Sequence, residues 1–204
     1  MTPEQFVGQT AAFFVFSLVA AITPGPSNVL LVATGAQAGF LRGLPCLFGV
    51  SAGMGSMMFL AAYGFGSIVL AQPQILLGIR LLGAGFLLWL AWKIASAPVG
   101  DGGNAATPRP AGFLGAAALQ WVNPKAWLVS AGAVATYLPG GDSDAVLQAA
   151  GFALVFVAAA LPSGLVWLVF GAAAQRLLRS PGRQRAFNIV TGLMLAASVV
   201  MILR

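Results

Sequence analysis

The sequence predicts an all-α integral membrane protein with six transmembrane helices, arranged as a 3+3 inverted repeat with broken helices 1 and 4. Three observations predict this fold class. Of the 204 residues, 59% are hydrophobic and 7% are charged, whereas a soluble domain carries about 25% charged residues. Apolar runs of membrane-crossing length recur along the chain. Prolines interrupt the first and the fourth of these runs near their centres.

Six spans follow from the rule that a membrane-crossing helix needs about 20 mostly apolar residues. We expect them near 9–34, 43–70, 75–96, 112–137, 146–173 and 186–203. The first run lacks the positively charged start of a signal peptide and continues beyond its prolines, so we expect it to be retained. The third run ends in Trp89, Trp92 and Lys93, a pattern typical of an interfacial belt with a snorkelling cation.

The polar loops predict the division of the chain and its orientation. Residues 98–111, rich in Gly and Pro, are expected to link a first three-helix repeat (1–97) to a second one (112–204). The odd-numbered loops hold one acid, Asp101, and seven bases: Arg42, Lys93, Arg109, Arg176, Arg179, Arg183 and Arg185. The opposite side holds Glu4, Asp142, Asp144, Arg80 and Arg204. The positive-inside rule makes the odd loops and the linker cytoplasmic and both termini periplasmic.

The residue inventory argues against several function classes. There is no histidine, and Cys46 is the one cysteine, so zinc sites, disulfides and Ser-His or Cys-His nucleophiles are not expected. Gly49 to Gly53 matches the G-x-S-x-G pattern, but the same residues fit the small-residue pattern of packed membrane helices better. The net charge of +6 forms no patch interleaved with aromatic residues. We therefore predict a non-enzyme without a cofactor, a metal or a nucleic-acid partner.

The break in the first span is a candidate ligand site. It reads Thr23-Pro24-Gly25-Pro26-Ser27-Asn28. Because proline has no backbone N–H, the carbonyls of Ala20 and Ile22 lose their helical partners. An unsatisfied backbone group in lipid costs several kcal/mol, so such a break persists only where protein or a wet cavity covers it.

A second break, Asn123-Pro124-Lys125, lies a hundred positions after Thr23-Pro24-Gly25. Each break falls in the first span of a three-span half. Three spans per half is an odd number, so the two halves must insert with opposite orientation. This is the plan of many secondary transporters, in which the substrate lies between paired broken helices near the midplane.

Lys125 is the most informative residue at the second break. It lies about 13 residues from either end of its span, about 20 Å at 1.5 Å per residue, which is too deep for comfortable snorkelling. A cation there costs about 2.5–3.5 kcal/mol and needs a partner. No acidic residue lies within any predicted span. Two alternatives remain open: a substrate carboxylate, or carbonyls freed by the prolines at 24, 26 and 124.

An amino acid has the chemistry that these breaks could bind. Its carboxylate would meet Lys125 and the positive end of a half-helix, and its ammonium would meet exposed carbonyls near Ala20–Ile22, helped by Asn28 or Asn123. For the smaller polar side chains, helix–helix hydrogen bonding is an equal alternative. The candidate substrate-binding residues are Thr23, Pro24, Gly25, Pro26, Ser27, Asn28, Gln120, Asn123, Pro124 and Lys125. Without membrane-embedded Asp, Glu or His, proton coupling would require Lys125 or the substrate to carry the proton.

At these residues the sequence resembles the LysE/RhtB superfamily of bacterial amino-acid exporters. The resemblance rests on Thr23 to Pro26 with Asn28, on Gly83 to Lys93, and on Asn123-Pro124-Lys125. Residues 90–95, 118–123 and 182–184 look most like the cysteine/O-acetylserine exporter branch. Ser27 departs from the Asn that commonly follows the second proline, which leaves the exact substrate open.

The resemblance implies a secondary transporter in the bacterial inner membrane that exports small neutral amino acids, of the cysteine/O-acetylserine or threonine/homoserine type. It implies an ion gradient as the driving force, and H⁺ is the coupling ion that we expect. A homodimer is compatible with the sequence, which does not fix the oligomeric state. The alternatives are an exporter of basic amino acids (lysine/arginine type) and a non-enzymatic membrane scaffold or channel.

Overall fold

The computed structural model describes residues 2–65, 71–97, 112–138, 144–175, 178 and 180–203, and every regular element within these ranges is helical. The eight α-helices there are α1 (Pro3–Ile22), α2 (Pro26–Ala38), α3 (Phe40–Leu60), α4 (Pro73–Ala95), α5 (Phe113–Val122), α6 (Pro124–Tyr137), α7 (Ala145–Gln175) and α8 (Pro181–Leu203). A π-helical turn, Ala61–Phe65, extends α3. The predicted linker 98–111 lies outside the described residues, as does the end of the second predicted span, 66–70.

Of the described helices, four are long and apolar enough to cross a membrane: Pro3–Ile22, Phe40–Phe65, Leu77–Ala95 and Ala145–Ala174. This confirms the predicted all-helical membrane protein. The half-helices α2, α5 and α6 have 13, 10 and 14 residues. α8 has 23 residues and begins with a polar turn. The arrangement as six spans in two inverted repeats stays a prediction.

The helices are interrupted at both proline sites. α2 and α6 each begin with a proline in the first turn, where its missing N–H costs no hydrogen bond. The predicted span 9–34 placed the first interruption near its centre, and this was wrong. α1 begins at Pro3 and has 20 residues before the interruption. The start is fixed by a capping box: the Thr2 hydroxyl accepts from the Gln5 N–H, and the Gln5 side chain accepts from the Thr2 N–H.

The apolar core joins most of the helices. Six of its leucines are less than 2% exposed and come from six different helices: Leu31, Leu47, Leu87, Leu119, Leu168 and Leu195. α7 packs against α1, α2 and α3, while α3 also packs on α5 and α4 packs on α8. A second cluster is rich in aromatic residues and includes Phe13, Phe152 and Phe156. Phe13 stacks on Phe152 with ring centroids 3.8 Å apart and contacts the ring of Tyr137.

Glycines let pairs of helices approach closely. A Cβ on Gly171 of α7 would collide with the backbone of Val32 in α2, and a Cβ on Gly35 would collide with the backbone of α7. Gly49 and Gly53 lie in the same way against the backbone of α5. The small residues of the G-x-S-x-G stretch therefore serve helix packing, as the sequence indicated.

Apart from Arg80 and Lys125, the charged side chains of the described residues lie near helix ends, at the two ends of the bundle. Four helix ends meet at one end: the C-terminal ends of α2 and α4 and the N-terminal ends of α5 and α8. Gln37, Lys93 and Gly112 line one cavity there, and Arg185 Nη1 donates to the Ala95 carbonyl over 3.1 Å. We call this the basic end. At the other end α1 and α6 are joined by a 3.1 Å bond from Gln9 Nε2 to the Tyr137 carbonyl. We call it the acidic end, because α1 and α7 begin there with Glu4 and Asp144. That the basic end faces the cytoplasm stays a prediction.

The close contact of α2 and α7 predicts the effect of a methyl group at Gly171. Gly171→Ala should lower the free energy of unfolding by about 1–3 kcal/mol, because the new Cβ must push two backbones apart. Gly151→Ala is the matched control in the same helix: nothing lies within 4 Å of a Cβ there, and stability should stay equal or rise by up to about 1 kcal/mol. Unfolding in detergent, followed by circular dichroism, measures both. Equal effects would contradict the close packing of α2 on α7.

Candidate functional site

Three carbonyls at or just after the end of α1 accept hydrogen bonds from side chains of other helices. Asn28 Nδ2, in α2, donates to the Ala21 carbonyl over 3.1 Å and to the Thr23 carbonyl over 2.8 Å. Trp167 Nε1, in α7, donates to the Ile22 carbonyl over 3.2 Å. The break is therefore covered by protein, as a helix end at membrane depth requires.

Lys125 reaches across to the same break from α6. Its Nζ donates to the Thr23 carbonyl over 2.6 Å and to the Pro24 carbonyl over 3.4 Å. The N-cap of α6 sets this direction, because Asn123 Oδ1 accepts from the Lys125 N–H over 3.1 Å. The sequence left two kinds of partner open for Lys125, a substrate carboxylate or freed carbonyls. In this conformation its partners are carbonyls of the first break.

Gly25 makes the approach of Lys125 feasible. Its φ of −175° is extended backbone that any residue adopts, so conformation does not require a glycine here. Space does. A Cβ at this position would lie 3.0 Å from Lys125 Cδ and 3.1 Å from Nζ, and the ammonium would have to shift.

Three polar side chains bridge α2 to the second break. The Ser27 hydroxyl donates to Gln120 Oε1 over 2.9 Å, and Asn123 Nδ2 donates to the Ser27 oxygen over 3.3 Å. Gln120 is fully buried, and its amide also donates to the Ala116 carbonyl. We call Ser27, Gln120 and Asn123 the polar bridge. In this conformation Ser27 and Gln120 make the helix–helix hydrogen bonds that the sequence left as an alternative to ligand contact. Thr23 donates locally to the Val19 carbonyl.

A central cavity of about 50 Å³ lies beside the two breaks. Six of the ten predicted residues line it: Gly25, Pro26, Ser27, Asn28, Asn123 and Lys125. The other four border those six without lining the cavity: Thr23, Pro24, Gln120 and Pro124. The structure thus brings the predicted residues together, and their role in binding stays a prediction.

Sequence reasoning missed the apolar wall of the central cavity. This wall includes Val50 and Met54 of α3, Val129 of α6, and Phe156 and Ala160 of α7. These are hydrophobic residues at helical spacing, and no sequence signal separates them from the core. Gly164 also lines the cavity, and only the Pro162-Ser163-Gly164 stretch marks its neighbourhood as unusual.

The central cavity offers complementary chemistry within a small space. Lys125 and the N-terminal ends of α2 and α6 favour an anion, and the carbonyls at the end of α1 favour a cation. The cavity of about 50 Å³ is small beside the range of about 300–1,000 Å³ that is common for small-molecule sites, so it must widen for an amino acid. Among the described residues, no group of three or more His, Cys, Asp or Glu could hold a metal ion.

Comparison with known proteins identifies the family. Residues 18–203 match the family described as LysE type translocator. The chain belongs to this LysE family. The cysteine/O-acetylserine efflux proteins of Salmonella choleraesuis (strain SC-B67) and Salmonella typhimurium (strain LT2) are each 34% identical over 193 residues, 94% of this chain and 96% of theirs. The protein of that name from Escherichia coli (strain K12) is 33% identical with the same coverage.

The LysE match confirms the resemblance stated from the sequence motifs. It covers both breaks, the polar bridge and the central cavity, and it leaves out most of α1. No solved structure matches the chain.

The hydrogen bonds of Asn28 predict a structural role that can be measured without a transport assay. Asn28→Leu keeps the branched shape of the side chain but leaves the Ala21 carbonyl without its donor, so the free energy of unfolding should fall by about 1–3 kcal/mol. Thr23→Ala is the control, because the Val19 carbonyl keeps its bond from the Thr23 N–H, and the change should stay within about 0.5 kcal/mol. Unfolding in detergent reports both values. If Asn28→Leu were as stable as Thr23→Ala, the described capping of α1 would be wrong.

Proposed function

We propose that this LysE-family chain is a secondary transporter that exports small neutral amino acids from the bacterial cytoplasm across the inner membrane by alternating access. The substrates are of the cysteine/O-acetylserine or threonine/homoserine type, and the proton gradient drives export. One observation carries the proposal: Lys125 of one break lies on the carbonyls of the other, beside a cavity and without an acidic partner among its lining residues.

A zwitterionic amino acid matches both sides of this contact. Its carboxylate can take the Lys125 ammonium and the positive end of α6, while its own ammonium replaces Lys125 at the Thr23 carbonyl. Substrate binding then replaces the two hydrogen bonds of Lys125, to the Thr23 and Pro24 carbonyls, by a bond from the substrate ammonium to the Thr23 carbonyl and an ion pair between the substrate carboxylate and Lys125. The Lys125–Thr23 contact is on this view the substrate-free form of the site.

Size and charge favour a small neutral side chain. The cavity is narrow, and Met54 and Phe156 stand at its apolar wall. Among the described lining residues no acid is present to receive a second substrate cation, which disfavours the lysine/arginine type. The names of the relatives, cysteine/O-acetylserine efflux proteins, agree with a small substrate.

Helix contacts support the inverted repeat. In the proposed repeat, α1 corresponds to α5, and α3 corresponds to α7. α1 packs on α7, and α5 packs on α3, so the two contacts are equivalent. α3 also packs on α7, and α4 on α8, so these counterparts meet each other. We therefore propose repeats 1–97 and 112–204, joined by the cytoplasmic linker 98–111, with both termini periplasmic.

Proton coupling and assembly complete the proposal. Lys125 is the only ionisable side chain among the described residues that line the central cavity, so we assign proton transfer to Lys125 together with the substrate. The site lies within one chain and needs no second copy. A homodimer would add packing between lipid-facing helices and leave this mechanism unchanged.

Flux into inside-out vesicles tests the function. Labelled cysteine, O-acetylserine, threonine and homoserine should enter with saturable kinetics, and an uncoupler should collapse the accumulation. Lysine and arginine serve as the basic comparison and should enter poorly. Flux that does not saturate would indicate a channel, and an absence of flux for all six compounds would contradict the proposed export.

Replacement of Lys125 tests its role. Lys125→Gln should lower kcat/KM by about 10- to 100-fold, since a hydrogen bond to a charged group contributes about 1.5–3 kcal/mol. Lys125→Arg keeps the charge and should lose less, and the same vesicle assay measures both. A Lys125→Gln protein with full proton-driven transport would exclude both the carboxylate contact and a titrating role for this lysine.

A further inference from the structure

A second cavity, of about 370 Å³, opens at the basic end of the bundle. We call it the basic-end cavity. It lies between α2, α4 and α5, and its polar lining consists of Thr34, Gln37 and Lys93. Phe86 and Trp89 supply aromatic walls. Its volume falls within the range of about 300–1,000 Å³ that is common for small-molecule sites.

The basic-end cavity is stacked on the central site along the same two half-helices. Leu30 of α2 and Leu119 of α5 line it and are 4% and 0% exposed. Ser27, one turn before Leu30, and Gln120, next to Leu119, belong to the polar bridge. A barrier of about one helical turn, about 5.4 Å, therefore separates the two spaces.

The charge at the basic-end cavity favours an anion. Lys93 lines it with an exposed side chain, and its Nζ lies 4.9 Å from the ring centroid of Trp89. The sequence indicated only a snorkelling interfacial cation here. Gly112, the N-cap of α5, and Gly115 of its first turn also line the cavity. Among the described residues no side chain caps this helix start, so the N–H groups of the first turn are available to a ligand. Among the described lining residues none is acidic.

We propose that the basic-end cavity is a second binding site, which holds the carboxylate of the amino acid through Lys93 before the substrate crosses the Leu30–Leu119 layer. Binding of a carboxylate follows from the cavity itself, while its place on an export path rests on the proposed function. A helix start and a cation attract substrate carboxylates from the basic end, and the aromatic walls can contact the CH₂ and CH₃ groups of the substrate side chain.

Gly115 provides a position for a reporter. Nothing lies within 4 Å of a Cβ there, so Gly115→Cys introduces a thiol into the cavity without a collision. Cys46, which is fully buried, is replaced by Ser to keep an acceptor for the Thr34 hydroxyl. The full-length protein is placed in phosphatidylcholine nanodiscs, and a charged methanethiosulfonate reagent labels the new thiol at a measured rate.

The labelling rate should fall several-fold with millimolar homoserine or O-acetylserine and should not fall with homoserine amide, which lacks the carboxylate. Lys93→Gln should abolish this protection, and Lys93→Arg should retain it. Lys125→Gln should also retain it, which separates this cavity from the central one. Protection that is absent, or that survives Lys93→Gln, would overturn the proposal.

Two further experiments distinguish other causes of slower labelling of the thiol. If phosphatidylglycerol in the nanodiscs slows labelling and the amino acid adds nothing, the anion is a lipid headgroup phosphate and the substrate proposal is wrong. If the amino acid protects the thiol while inside-out vesicles show no flux, the cavity binds carboxylates but the proposed export fails. Failure of the two proposals is thus distinguishable.

Discussion

The structure depends on one constraint: the carbonyls at the end of α1 must find donors where water is scarce. Those donors come from three other helices, with Asn28 in α2, Lys125 in α6 and Trp167 in α7. An unsatisfied carbonyl in hydrocarbon costs several kcal/mol, so α2 and α7 stay at the break unless another donor reaches the Ala21 and Ile22 carbonyls. The Thr23 carbonyl keeps its bond from Asn28 when Lys125 leaves. A helix interruption thereby couples elements that are far apart in the sequence. Water or the ammonium of a ligand is the replacement available to such a site.

The two breaks are unequal in this respect. At the second break the carbonyls find partners within their own span: Trp127 Nε1 donates to the Trp121 carbonyl over 2.8 Å, and the Asn123 N–H donates to the Gln120 carbonyl over 3.1 Å. Two carbonyls of the second break thus have donors from their own span, and Lys125 of this span donates to the carbonyls of the first break. The central cavity is lined by residues of both breaks, and Ala20, Ala21 and Gly25 place it against the first break, whose carbonyls depend on distant donors. Ligand exchange is easiest there, because Lys125 is a flexible side chain and can exchange one oxygen partner for another.

Local chemistry explains what could be predicted from the sequence. Apolar runs, prolines without an N–H and one deep lysine were enough to predict a helical membrane protein, the two interruptions and a set of ten residues that the structure brings together. What was missed depends on which helices meet. Tertiary packing decides which residues meet, and local patterns in a single sequence do not predict it. It makes Trp167 a donor, places Met54 and Phe156 at the wall of the central cavity, and places Lys93 at the basic-end cavity. The early start of α1 was missed because a capping box outweighed the polar composition of its first turn.

The two ends of the bundle differ in how closely their helices pack, and the proposed alternating access would use this difference. Because the two breaks lie a hundred residues apart, Gln37 and Tyr137 occupy corresponding positions in the two halves of the sequence, and so do Phe13 and Phe113. At the acidic end Tyr137 and Phe13 are in ring contact, and the Gln9 side chain bonds the Tyr137 carbonyl. At the basic end Gln37 lines an open cavity, and Gly112, beside Phe113, lines it too. If the chain is the inverted repeat proposed above, equivalent positions of its two halves are in a closed and an open arrangement. In an inverted repeat, exchange of these two arrangements between the halves moves the opening from one face of the membrane to the other. On that reading the aromatic contacts of Phe13 must separate when the Leu30–Leu119 layer and the basic end close.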